Sequence, residues 1–213
     1  MKIEKKQSEG ELYAQGVAVA LLPAQWERLY ESISRKQEQV GSQCRELKPE
    51  GELYGRLLRG IDVSDEAAFY ETVKAALDSL RQAAERIYLE SKAEAADLLR
   101  VLGGDALARL AEYAFDANSC RVVDFEADPR VMPISRLVMP QIISGAVAYP
   151  VDNLGRLCKG LFSGLFSGRK AREKEAESLL KEMFKYALDK VVTAITEGCT
   201  RLKQLLDIVK EGC

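Results

Sequence analysis

Apolar residues recur at intervals of three and four along most of this chain, with polar residues between them. That spacing places the apolar side chains on one face of an α-helix. From Ala24 to about Leu47, Trp26, Leu29, Tyr30, Ile33 and Val40 form such a face, with Pro23 where a helix can begin and Pro49 and Gly51 closing the segment. A stronger stripe follows Ser64 and comprises Phe69, Val73, Leu77, Leu80, Ala84, Ile87, Ala95, Leu98 and Leu102. Ser64 is its expected N-cap, Asp65 and Glu66 complement the helix dipole in the first turn, and Gly103 with Gly104 supplies the stop. Asp105 then caps a short helix carrying Leu107, Leu110, Ala111 and Ala114.

The pattern returns from Lys170 to about Lys210, where Leu180, Phe184, Ala187, Val191, Ala194, Leu202, Leu205 and Val209 share a face. Met183, Leu188, Ile195, Leu206 and Ile208 widen it, as suits a helix packed among several others better than the narrow seam of a coiled-coil dimer. Gly198 is the one expected interruption. Between the helical stretches, Cys120 to Phe125 is β-prone, and Pro133, Pro140, Gly145 and Pro150 break any long helix. The expected fold is therefore mainly α, a multi-helix bundle of long amphipathic helices with one small β or loop element around residues 120–150. Three regions follow in chain order: a helical region 1–117, a β/loop segment 118–151 and an amphipathic helical region 152–213.

One internal similarity stands out. Gly10-Glu11-Leu12-Tyr13 recurs as Gly51-Glu52-Leu53-Tyr54, and Leu29-Tyr30-Glu31-Ser32-Ile33 is echoed by Phe69-Tyr70-Glu71-Thr72-Val73. An offset near forty residues is a helical-repeat period, but no third copy is evident, and chance resemblance between two amphipathic helices gives the same picture.

The 47% hydrophobic content supplies a core for 213 residues, and 31 basic against 33 acidic residues leave no field to draw the whole chain onto nucleic acid. The first apolar run, Val17 to Leu22, is too short for the core of an export signal. No uninterrupted apolar stretch reaches the roughly 20 residues that cross a bilayer as a helix. The five cysteines (Cys44, Cys120, Cys158, Cys199 and Cys213) are scattered, without a C-x-x-C pair, which suits a reducing cytoplasm better than a disulfide framework or structural zinc site.

The chain has no histidine. That removes the usual general base, the usual activator of Ser and Cys nucleophiles and the commonest nitrogen ligand of metals. Asp124, Glu126 and Asp128 would share one face of an extended strand and offer hard oxygen ligands to Mg²⁺ or Ca²⁺, although the spacing matches no calcium loop. Gly160, Gly164 and Gly168 with Arg169 and Lys170 do not fit a phosphate-binding loop. No cofactor is expected, and a carboxylate- or metal-dependent enzyme is the least favoured reading.

The same glycine-containing segment is the chain's most unusual. Read as a helix, Leu154, Leu157, Leu161, Phe162, Leu165 and Phe166 form one apolar face, followed by the cations Arg169, Lys170, Arg172 and Lys174. Such a segment packs into a protein core or interface, or lies on an anionic membrane surface with its cations at the head groups. The leading functional expectation is a non-enzymatic helical scaffold or adaptor acting through contacts with a partner protein or with itself. The alternative is a peripheral membrane protein docking through Leu154 to Lys174. That alternative predicts binding to anionic liposomes that is lost in a Phe162→Asp, Phe166→Asp double variant; a wild-type chain that fails to co-sediment with such liposomes eliminates it.

Overall fold

A computed structural model describes residues 8–115, 162 and 168–212. In chain order the elements are α1 (Glu9–Gln15), α2 (Pro23–Gln43), a 3-10 turn (Cys44–Leu47), α3 (Glu52–Gly60), α4 (Glu66–Ala114) and α5 (Arg169–Gly212). The described residues are mainly α-helical and contain no strand. The β element expected around residues 120–150 lies outside them.

The helix ends follow from local chemistry. In α1 the Ser8 hydroxyl accepts a hydrogen bond from the Glu11 N–H, and the Glu11 carboxylate accepts one from the Ser8 N–H at 2.7 Å, forming a capping box. α2 starts with Pro23 at its first position, and the Leu22 N–H donates to Gln25 Oε1 at 2.8 Å. α4 begins one residue later than the sequence suggests. Ser64 is held by its own N–H, which donates to Asp62 Oδ1 at 2.8 Å, so the cap is Asp65, whose Oδ1 accepts from the Ala68 N–H at 2.9 Å.

Gly103 and Gly104 stop one helical stretch of α4 and a second follows directly, as the sequence predicts. Gly104 has φ 69° and ψ −165°, a conformation essentially restricted to glycine, and the chain resumes as helix directly afterwards. Arg100 spans the break, paired with Asp97 on one side and with Asp105 on the other at 3.1 Å. Asp105 thus serves as an ion-pair partner in addition to opening the next helical stretch.

Contacts group the chain into two compact units, each discontinuous in sequence. The first comprises Met1–Cys44, Glu85–Val122 and Lys190–Cys213, the second Arg45–Ala84 and Val123–Asp189. In the first, Leu29, Ile33 and Val40 of α2 are buried together with Leu99, Leu107 and Leu110 of α4 and Ile195, Leu202 and Leu206 of α5. Polar links then fix α2 against both neighbours. The Tyr30 hydroxyl donates to Asp207 Oδ1 at 2.5 Å, Lys203 donates to Gln37 Oε1 at 3.0 Å, and Lys36 pairs with Glu94. Burial, and then the Asp207 carboxylate, hold the Tyr30 hydroxyl protonated well above the usual phenol range.

In the second unit Leu53 and Tyr54 of α3, Phe69, Val73 and Leu80 of α4, and Leu180, Met183 and Phe184 of α5 are buried. The Tyr54 ring meets Phe184 edge-on at 5.3 Å, and its hydroxyl donates to the Glu177 carbonyl at 3.4 Å. The remaining ion pairs are mostly exposed i,i+3 or i,i+4 pairs such as Glu31–Arg35 and Arg169–Glu173, worth roughly 0.3–0.5 kcal/mol each. They tune helices and do not select the fold.

Two expected stripes shift slightly. Leu98 is only half-buried while Leu99 is fully buried, and Ala194 is half-buried while Ile195 is fully buried. A stripe counted in threes and fours drifts around a long helix because the true period is close to 3.6. Gly198 does not interrupt α5; a Cβ there would lie 2.8 Å from the ring of Phe115, so this glycine is where Phe115 comes against the helix backbone.

Three glycine substitutions separate these roles. Gly41→Ala, on the exposed face of α2 with nothing within 4 Å of the added Cβ, should raise stability by about 0.5–1 kcal/mol. Gly198→Ala should lower it by about 1–3 kcal/mol through the clash with Phe115. Gly104→Ala should lower it by about 1–3 kcal/mol through backbone strain. Urea midpoints of the three variants check the signs, and a neutral or stabilising Gly198→Ala contradicts the packing described.

Candidate functional site

The described residues of the first unit form an open groove of about 650 Å³ between the start of α1, the end of α4 and the last turns of α5. Its wall is set by Gly10. A Cβ at this position would lie 2.9 Å from Tyr113 Cβ and 3.5 Å from Leu205, so only glycine lets α1 approach this closely. Tyr13, one helical turn on, locks the approach: its ring lies 5.1 Å from that of Tyr113, its hydroxyl donates to the Ala106 carbonyl at 3.1 Å, and Arg109 sits 5.4 Å from its ring centroid.

The groove is lined by both charged and apolar side chains. Leu205 and Ile208 contribute apolar surface, with Glu9, Glu11 and Glu112 against Arg201 as the charged groups. Glu11 is committed to the capping box. A smaller groove of about 400 Å³ runs beside the α4 break, lined by Arg100, Asp105, Arg109, Glu112 and two alanines. What the larger one offers is carboxylates beside the apolar side chains of Leu205 and Ile208.

The residues singled out from sequence fall elsewhere. Leu154, Leu157, Leu161, Leu165 and Phe166, and the carboxylates Asp124, Glu126 and Asp128, lie outside the described residues. Phe162 is half-buried, its ring 6.0 Å from that of the fully buried Phe69, and the Arg172 guanidinium lies 4.8 Å from its centroid. Arg172 is therefore turned onto an aromatic face, whereas Arg169, Lys170 and Lys174 are exposed. Among the described residues no group of three acidic or cysteine side chains is placed to hold a metal ion, and no helix is long and apolar enough to cross a membrane.

Periodicity did not point to the groove because its residues come from three helices far apart in the chain. The two short helices were also missed: α1 and α3 have 7 and 9 residues, too few for a stripe to repeat. One local signal was present, since Ser8 and Glu11 have the spacing of a capping box. Searches against family models, curated proteins and solved structures return no match for this chain.

Both described thiols are buried. Burial pushes Cys44 from the ordinary 9.0 up to about 11. Burial also raises Cys199, against the opposing pull of Lys36 and Lys203. The folded chain thus keeps the Cys44 proton over a range in which the unfolded chain releases it. The stability this contributes is complete below pH 9.0 and is lost as pH rises through about 11. The stability difference between wild type and Cys44→Ala should therefore shrink across that window in urea titrations, and a constant difference would show that the native thiol is unperturbed.

Proposed function

We propose that this chain is a non-enzymatic helical scaffold or adaptor that works through helix-face contacts with a partner protein or a second copy of itself. The observation that carries this reading is a set of large apolar side chains held outside the core. Leu12, Leu22, Leu89 and Val101 are 55, 68, 49 and 84% exposed, and all four belong to the first compact unit. Covering such side chains against a partner returns about 25 cal/mol per Å² of apolar surface removed from water. The helices that carry Leu12, Leu89 and Val101 bury other residues, so these exposed side chains have no role in the internal core of that unit.

Docking on an anionic membrane through Leu154 to Lys174 draws less support from the described residues, because Phe162 is packed on Phe69 and covered by Arg172. The exposed Arg169, Lys170 and Lys174 favour it only as a general cationic surface. The buried thiols Cys44 and Cys199 suit action in a reducing compartment, for which the cytoplasm is the natural candidate.

Native mass measurement and a pull-down on wild type and on a Leu89→Glu, Val101→Glu variant test the proposal. Both residues are exposed on α4, so helix content and the thermal midpoint should stay unchanged while association is reduced about tenfold or more. A wild-type chain that is strictly monomeric and retains no partner counts against the adaptor reading.

A further inference from the structure

We infer that the groove between α1, α4 and α5 of the first unit receives a lysine- or arginine-bearing segment of a partner protein. This rests on the adaptor reading and names the chemistry of the partner. The charges on the groove select the occupant. Glu9, Glu11 and Glu112 stand against Arg201, so the groove is net acidic within a chain whose overall charge is close to balanced. Glu11 is held by Ser8, while Glu9 and Glu112 make no ion pair or hydrogen bond among the described residues. A cationic side chain entering the recess would meet two carboxylates that line it.

The apolar part of the groove narrows the choice to long cationic side chains. Lys and Arg lay an apolar stem along hydrocarbon while their charged end reaches a carboxylate. Ile208 is half-buried beside the almost fully buried Leu205, so it supplies apolar surface along which such a stem would lie. A recess of about 650 Å³ accommodates a few side chains, as many as a short segment presents. Anionic head groups and nucleic-acid phosphates carry the wrong charge for this recess.

The groove is also preformed. Gly10 brings α1 directly against Tyr113 and Leu205, and the Tyr13 hydroxyl fixes α1 to the Ala106 carbonyl. An occupant therefore does not have to order the walls, which removes one cost of binding.

The test is fluorescence anisotropy on the full chain with a labelled synthetic amphipathic peptide of leucine and lysine, alongside the same peptide with glutamate in place of lysine. The lysine peptide should bind and the glutamate peptide should not. A Glu9→Gln, Glu112→Gln variant should weaken binding about tenfold or more. A Glu27→Gln, Glu38→Gln variant, which makes the same change in net charge on the exposed face of α2, should leave it within about twofold. Both pairs are near-isosteric and exposed, and melting curves confirm that the fold is retained. Failure of the lysine peptide to bind, equal binding of the glutamate peptide, or equal loss in both variants overturns the inference. If binding fails in this way while partner association still depends on Leu89 and Val101, the groove assignment is wrong and the adaptor reading stands. Binding of the lysine peptide that is lost only in the groove variant supports the inference whatever the Leu89→Glu, Val101→Glu variant does.

Discussion

The constraint on which the rest depends is the buried row along α5. Ala176, Leu180, Met183 and Ala187 continue through Val191, Ile195, Gly198, Leu202, Leu205 and Val209, each step three or four residues and each residue withdrawn from water. The first four belong to the second compact unit and the others to the first, so one helix supplies a wall to both cores. A row this long tolerates no register error. Shifting it by one residue rotates the face by about 100° and turns Glu177, Lys181, Lys203 and Lys210 inward. Gly198 takes its place in the row as the position against which Phe115 packs.

Hydrophobic burial drives association of these helices but does not by itself fix how they align, because it is non-directional. Alignment of α2 in the first unit comes from side-chain bonds at its flanks. Tyr30 reaches Asp207, Gln37 reaches Lys203 and Thr200, and Lys36 and Gln43 both reach Glu94. These contacts join residues 51 to 177 positions apart. Lys36 has only 10% of its side chain exposed, so leaving it unpaired would strand a nearly buried charge, and correct register is favoured by more than a surface pair would contribute.

The duplicated tetrapeptide shows how position in the fold overrides local sequence. In the first copy Gly10 is buried inside α1 and Leu12 is 55% exposed; in the second Gly51 precedes α3 as its N-cap and Leu53 is 5% exposed. Yet Leu29 and Phe69, Ile33 and Val73, Val40 and Leu80, Cys44 and Ala84, and Leu47 and Ile87 are all buried pairs forty residues apart. Helical period alone aligns such faces, whatever their origin. The environment of a turn or helix start depends on what the neighbouring elements bring to it.

The long helices and most of their inward faces were legible in the chain itself, because amphipathic spacing, Pro23 and the paired glycines act within a few residues of where they stand, although the cap of α4 falls at Asp65 and not at Ser64. The same local chemistry marked the break at Gly104 and the helical stretch that follows it from Asp105. Only the tertiary structure decided that two compact units would each draw on separated stretches of chain, that Gly10 and Gly198 are contact points, and that Glu9, Glu112 and Leu205 would border one recess. Those outcomes depend on which helix faces meet across tens to hundreds of residues, and periodicity specifies a face without naming its partner.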